Sequence, residues 1–200
     1  MTPFGKLPDP QHLFDHDEAA QAFSDILDAR ASEDEIEAFL AALSARGETM
    51  VEVAAAAQAM RDRLIPIEAP ENAIDVCGTG GDGHHTLNVS TAVSIVVAAC
   101  EVPVAKHGNR AASSKAGAAD TLEALGLDME RAGRMAQETL KDLGICFLFA
   151  ANHHPAMKRI QPIRQRIGQR TIFNLMGPLA NPARVKRQLI GIARPAYVPV

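Results

Sequence analysis

Over the first 65 residues the apolar positions recur at helical spacing. Ile36, Phe39, Leu40 and Leu43 line one face of a segment that opens at Ser32-Glu33-Asp34-Glu35 and stops at Gly47. In that opening, a hydroxyl and a carboxylate three residues apart can satisfy each other's orphan amides. Thr49-Met50-Val51-Glu52 repeats the device and opens an alanine-rich helix to about Leu64, which Pro66 ends. A further helix is expected over 15–29. The segment Ile65-Pro66-Ile67-Glu68-Ala69-Pro70 then favours extended backbone and reads as a linker.

Beyond the linker the rhythm shortens. Strands are expected over 73–77, 102–105, 145–149 and 188–192, with helices over 90–99, 120–125, 129–143 and 155–167 between them; Gly126, Gly144 and Gly168 follow three of those helices as stops. Strands alternating with helices predict a parallel sheet. The fold class is therefore α/β: a small N-terminal helical domain over 1–65, a hinge over 66–72, and a larger domain over 73–200 with a mostly parallel sheet covered by helices. The last strand has no closing helix, so that domain is expected to be incomplete, and the helices over 129–143 and 155–167 are expected to pack on the helical domain.

Composition agrees with a globular chain, 47% hydrophobic and 22% charged, with only 4% aromatic residues, so its core must be aliphatic. Charge is unevenly spread. Residues 1–72 carry 5 Lys and Arg against 15 Asp and Glu, whereas residues 73–200 carry 15 against 9. The half that is cationic is the half with the glycine loops. A sequence pI near 6.0 is too low for an ordinary nucleic-acid-binding domain, and a small anionic ligand fits better. Cys77, Cys100 and Cys146 are too far apart for a disulfide framework or a metal spacing. An acidic N-terminal region and the lack of a long apolar run lead to a cytoplasmic expectation, with no membrane partner and no nucleic acid.

The chemistry concentrates after two of the strands. Gly78-Thr79-Gly80-Gly81-Asp82-Gly83 offers backbone amides that can approach a phosphate closely. Such loops also serve as tight turns, and this one matches neither the Walker nor the dinucleotide fingerprint. Asn88-Val89-Ser90-Thr91 opens an apolar helix; Asn88 or Ser90 can cap it, and the same helix start can hold an anion. Lys106-His107-Gly108-Asn109-Arg110-Ala111-Ala112-Ser113-Ser114-Lys115 interleaves cations with hydroxyls at a strand end, where open parallel sheets bind ligands. His84-His85 and His153-His154 lack an acidic or Cys partner at ligand spacing, so a metal reading is set aside. Arg164 stands among the surface-type cations Lys158 and Arg166, and composition gives it no role.

These blocks, with Asn152-His153-His154-Pro155-Ala156-Met157-Lys158 and Arg170-Thr171-Ile172-Phe173-Asn174-Leu175-Met176-Gly177-Pro178-Leu179-Ala180-Asn181-Pro182, resemble the anthranilate phosphoribosyltransferases of tryptophan biosynthesis over nearly the whole chain. The resemblance implies a glycosyltransferase that moves the 5-phosphoribosyl group of phosphoribosyl pyrophosphate to the anthranilate amine, releases pyrophosphate, uses Mg2+, and forms a homodimer through its helical domain. It assigns Gly78, Gly81, Asp82, Thr86, Asn88, Val89, Ser90, Thr91, Lys106, His107, Gly108, Asn109, Arg110, Ala111, Ala112, Ser113, Ser114 and Ala118 to phosphoribosyl pyrophosphate. Ser90 would also meet Mg2+, while Gly78, Asn109 and Arg164 would meet anthranilate. No residue is assigned as acid or base, since an aromatic amine is already a neutral nucleophile; His107 is an orienting residue.

The chain departs from the family pattern at Ala116 and Ala118, which stand where serine is usual, and at Ala151, which stands where proline is usual. The family's Asp-Glu pair for Mg2+ falls beyond Val200, so the 200-residue chain alone is expected to be inactive. Two other readings are a non-enzymatic nucleic-acid-binding relative, from the cationic half and the cluster Lys158, Arg159, Arg164, Arg166 and Arg170, and a pyrimidine nucleoside phosphorylase, which shares part of the lysine-to-serine run.

Overall fold

The computed structural model describes residues 6–80, 87–111 and 116–199. In chain order it has helices α1 (His16–Leu27), α2 (Glu33–Arg46) and α3 (Met50–Arg61), strand β1 (Ile74–Gly78), α4 (Val89–Ala99) and β2 (Val104–Gly108). There follow α5 (Ala118–Ala124), α6 (Met129–Arg134), α7 (Ala136–Leu143), β3 (Ile145–Phe149), α8 (Ala150–His153), α9 (Met157–Ile167), α10 (Met176–Leu179) and β4 (Arg187–Gly191). None of the described helices is long and apolar enough to cross a membrane.

The chain divides into two compact units. One contains the residues up to Leu64 together with His154–Ala180; the other contains Ile65–His153 and Asn181–Pro199. In the helical unit, local sequence signals do most of the work. Asp15 and Thr49 form capping boxes with Glu18 and Glu52, and Ser32 caps α2 through the Glu35 amide. Each such cap is worth about 1 kcal/mol. Phe23, Ile26, Ile36, Leu40, Leu43, Ile160, Ile163 and Ile172 are fully buried in this unit, each stabilising it by roughly 1.5–3 kcal/mol relative to exposure. Arg159 donates to the Ala31 carbonyl at 2.9 Å, and Arg166 meets Glu33 and Glu37 at 3.2 and 2.7 Å, so α9 belongs with α2.

Glu52 has no exposure; it accepts the Thr49 amide at 2.8 Å and pairs with Arg46, whose guanidinium also reaches the His12 carbonyl and lies 5.6 Å from the Phe14 ring centroid. One buried carboxylate therefore joins α3 to the end of α2 and to the segment before α1. A buried charge persists only when paired in this way.

The second unit is a four-stranded, all-parallel sheet of order β3-β2-β1-β4. The register Lys106 opposite Phe147 and Ala105 opposite Cys146 fixes its two faces. Ala105, Cys146 and Leu148 form a core with Ala136 and Leu140 of α7 on one face; Phe147 packs with Ala119 of α5 and Met129 of α6 on the other.

That arrangement accounts for a difference from the sequence expectation, a single helix over 129–143. The helix breaks at Met135 (φ −102°, ψ 9°), because α6 and α7 cover opposite faces of the edge strand β3 and the chain must wrap around it. Both helices pack on β3. A smaller difference is the short helix α8, which the sequence pattern does not announce.

Candidate active site

Strands β1 and β2 end at the two loops that carry the expected chemistry. Gly78 and Thr79 are fixed to the end of β4: the Thr79 amide donates to the Gly191 carbonyl at 2.9 Å, and the Thr79 hydroxyl accepts from the Ala193 amide at 3.2 Å. Gly80 follows with φ 63°, backbone that glycine adopts at little cost. Lys106 is 2% exposed, and its ammonium donates to the Val76 carbonyl at 2.9 Å and to the Ser90 hydroxyl at 3.3 Å. The end of β1, the start of α4 and the end of β2 thus converge on one cation. Burial lowers the Lys106 pKa, opposed by the negative charge of Asp75.

The start of α4 carries no side-chain cap. Asn88 instead donates its amide to the Thr121 hydroxyl of α5 at 3.0 Å, and its side-chain oxygen accepts from Thr91 at 3.4 Å. The sequence left capping and anion binding open at this helix; among the described residues no side chain takes the capping role, so the positive helix end remains available to an anion.

The second loop closes on itself. Asp120 accepts the Ala111 and Gly117 amides with one oxygen, both at 2.8 Å, and the Asn109 carbonyl accepts the Ala119 amide at 3.2 Å. Gly117 allows the closure: a Cβ there would lie 2.5 Å from both the Ala111 nitrogen and the Asn109 oxygen. Gly108 is similarly confined: a Cβ there would lie 2.8 Å from the Phe147 ring and 3.0 Å from the Ala118 methyl. Hydrogen bonds to backbone amides, those of Ala111 and Gly117 first, hold Asp120 below the usual carboxylate range.

Arg110, expected among the phosphate contacts, directs its guanidinium to Glu123 at 2.7 and 3.0 Å and to Asp120 at 3.1 Å, and lies 5.6 Å from the Phe149 ring centroid. The two carboxylates, Glu123 first, raise its pKa. In this conformation its charge secures the neck of the loop.

Among the expected ligand contacts, the structure brings Gly78, Asn88, Val89, Ser90, Thr91, Lys106, His107, Gly108, Asn109, Arg110, Ala111 and Ala118 into the sheet unit, on or beside the two strand ends. Gly81, Asp82, Thr86, Ala112, Ser113 and Ser114 lie outside the described residues. Arg164 belongs to α9 in the helical unit, where burial first and the neighbouring Arg170 second lower its pKa. His153 forms a structural contact, its Nδ1 lying 2.9 Å from the Ile65 carbonyl. No group of three His, Cys, Asp or Glu able to hold a metal occurs among the described residues; the Ser90 hydroxyl, expected to meet Mg2+, accepts from the Lys106 ammonium at 3.3 Å.

Sequence reading missed Asp75 and Asn181. Asp75, with no exposure, accepts the His107 amide at 3.1 Å and the Asn181 amide group at 2.8 Å; Asn181 also donates to the Ala105 carbonyl at 2.9 Å. Burial raises the Asp75 pKa, opposed by these bonds and by Lys106. The signal was present, since a carboxylate in the apolar run Ile74-Asp75-Val76-Cys77 must find partners if it is buried.

A family model described as "Glycosyl transferase family, helical bundle domain" matches residues 9–64, and one described as "Glycosyl transferase family, a/b domain" matches residues 70–200. The chain is 80% identical over 200 residues to the anthranilate phosphoribosyltransferase of Sphingopyxis alaskensis, covering 60% of that protein. It is 73% identical over 194 residues to that of Novosphingobium aromaticivorans, covering 59%. The solved anthranilate phosphoribosyltransferase of Thermus thermophilus is 43% identical with a TM-score of 0.89, over 94% of this chain and 58% of that one. The Saccharomyces cerevisiae enzyme in complex with PRPP and Mg is 28% identical with a TM-score of 0.83, over 97% and 58%. The chain thus spans about three-fifths of the length of these relatives. With both family models matched in sequence order and the same helical and parallel-sheet parts in its structure, the chain belongs to the glycosyl transferase family that joins a helical bundle domain to an α/β domain.

Proposed function

We propose that the full-length protein is an anthranilate phosphoribosyltransferase of tryptophan biosynthesis. The observation that carries this reading is the convergence of Val76, Ser90 and Lys106 at the ends of β1 and β2, in a chain 80% identical to an enzyme of that name. The uncapped start of α4 beside them suits a diphosphate.

The reaction forms a bond between the anthranilate nitrogen and C1′ of the ribose. The bond from C1′ to the pyrophosphate oxygen breaks with its electron pair leaving on pyrophosphate, and the amine proton passes to solvent or to the leaving group. Because the amine is neutral and nucleophilic, the protein's task is to hold the sugar and stabilise the departing charge. Lys106 and the α4 amides supply that field. The Gly78 loop, Asn88, Thr91 and the run from Lys106 to Ala111 bind the phosphoribosyl ligand, with His107 orienting.

Arg164 is the guanidinium assigned to the anthranilate carboxylate, with Gly78 and Asn109 as the other contacts. The remaining ligand contacts, Gly81, Asp82, Thr86, Ala112, Ser113 and Ser114, rest on the family resemblance alone, and Ala118 contributes only its methyl. Mg2+ enters as part of the substrate, carried on the diphosphate; Ser90 is the hydroxyl assigned to meet it. The yeast relative, solved in complex with PRPP and Mg and in complex with 4-fluoroanthranilate, supports these ligands. A cytoplasmic homodimer, with the helical unit as its contact, completes the reading.

Anthranilate fluorescence tests it: emission from a solution of the full-length protein should fall only when phosphoribosyl pyrophosphate and Mg2+ are both present. Constant emission at every substrate concentration would overturn the assignment. Phosphate-dependent nucleoside cleavage or salt-sensitive DNA binding would instead favour the other two readings.

A further inference from the structure

The two strands that carry the candidate loops are the least well paired in the sheet. β1 matches β4 at five positions and β2 matches β3 at five, but β1 and β2 pair only at Ile74 and Val104. The parallel ladder starts there normally, with the Ile74 amide donating to the Pro103 carbonyl at 2.9 Å. Continued by its own alternation, it would give a bond from the Val76 amide to the Ala105 carbonyl and one from the His107 amide to the Val76 carbonyl.

Side chains take those places. The Ala105 carbonyl accepts from Asn181 Nδ2 at 2.9 Å, the His107 amide donates to Asp75 Oδ1 at 3.1 Å, and the Val76 carbonyl accepts from Lys106 Nζ at 2.9 Å. Asp75 Oδ2 and Asn181 close the set at 2.8 Å.

We infer that Asp75, Asn181 and Lys106 form an inset that replaces the backbone ladder between β1 and β2, holds the strands apart at their carboxyl ends, and so sets the spacing of the two substrate loops. Asp75 is the positioning residue of this inset. It supplies the acceptor for the His107 amide at the root of the second loop and a negative charge in the surroundings of the buried Lys106 ammonium.

An inset of side chains differs from a ladder in a way that matters for binding. A closed ladder would bring Gly78 and Gly108 to adjacent-strand separation, about 4.8 Å, leaving no room between the loops. The inset gives the Ala105 carbonyl, the His107 amide and the Val76 carbonyl side-chain partners where the ladder would have joined them, which an unfilled gap would not do. The role rests on the phosphoribosyl-transfer reading only for the identity of the ligand; the opening itself is a property of the sheet.

The test uses the full-length protein and the variants Asp75→Asn, Asp75→Asn with Asn181→Asp, and Leu140→Ala. In Asp75→Asn one oxygen still accepts from His107, but its amide group meets the Asn181 amide group, donor against donor, and Lys106 loses its counter-charge. Calorimetric titration should show phosphoribosyl pyrophosphate binding about tenfold or more weaker, the scale of a lost charge-assisted bond. Exchange mass spectrometry should show faster amide exchange across β2 at His107. The double variant restores the donor–acceptor match between positions 75 and 181 and the charge, but sets a carboxylate oxygen against the Ala105 carbonyl, so it should recover only part of the affinity. Leu140→Ala, an equally buried loss in the same unit, should bind within about twofold of wild type.

Wild-type affinity and exchange in Asp75→Asn would overturn the inference, as would equal weakening by Leu140→Ala. If Asp75→Asn does not fold, Asn181→Ala carries the same test with a smaller expected effect. Should the wild-type protein bind no phosphoribosyl pyrophosphate, the functional reading fails, while the exchange difference at His107 still decides the inset.

Discussion

The helical unit and the strand ends of the sheet unit satisfy their polar groups in opposite ways. In the helical unit the partners are mostly neighbours in sequence: Ser32 with Glu35, Asp15 with Glu18, Thr49 with Glu52. At the strand ends they are remote, Lys106 with Val76 30 residues apart, His107 with Asp75 32 apart and Asn181 with Asp75 106 apart. Local pairing builds an element whatever surrounds it. Remote pairing builds a site, because it exists only when the fold is complete.

That contrast can be broken most forcefully in the helical unit, at the buried pair of Arg46 and Glu52. Removing the Arg46 guanidinium with Arg46→Ala leaves Glu52 buried and unpaired, a change that costs about 3–5 kcal/mol; thermal or denaturant unfolding of the variant measures it. Arg46→Met together with Glu52→Gln removes both charges and should recover much of the loss. If the single variant unfolds as the wild type does, the buried pair is not what joins α2 to α3.

A smaller effect is expected at the neck of the second loop. Gly117→Ala sets a methyl 2.5 Å from backbone atoms of residues 109 and 111, so the backbone must move. Phosphoribosyl pyrophosphate affinity should fall by about tenfold, with a stability loss of about 1–3 kcal/mol for an overpacked contact. Gly177→Ala, where an added Cβ has open space, is the control. Equal affinities would detach the loop neck from binding.

The smallest effect concerns Asp28, whose pKa is lowered chiefly by its bond to Arg63. A depressed carboxylate pKa gives stability that is present above the unfolded value and lost as pH falls through the folded one. The melting-temperature gap between wild type and Asp28→Asn should therefore persist at neutral pH and close as pH falls below 3.8. A gap that does not change with pH would show that the pair adds no linkage.

The same contrast explains what the sequence could tell. Helices α2 and α3 were readable with their caps because each signal lies within four residues, and β3 was readable because its apolar run is bounded by Gly144. The parallel sheet followed from the alternation of elements, although β1 and β2 begin one and two residues later than the pattern placed them. The division at Met135 was hidden, since both halves are good helix and only the wrapping around β3 separates them. At the site, glycines, hydroxyls and Lys106 stood out by residue type, whereas Asp75 and Asn181 act through geometry across 106 residues. Arg110 was legible as a cation but not as the partner of Glu123.

Under the proposed function, the strand ends of the sheet unit hold a phosphoribosyl diphosphate while an aromatic amine displaces its pyrophosphate. Measuring pyrophosphate release and anthranilate loss together, with the full-length protein and Mg2+, tests it most directly. The two should proceed in equal amounts, both should depend on phosphoribosyl pyrophosphate, and Lys106→Ala should suppress both. Pyrophosphate released without loss of anthranilate, or neither change at any substrate concentration, would contradict it.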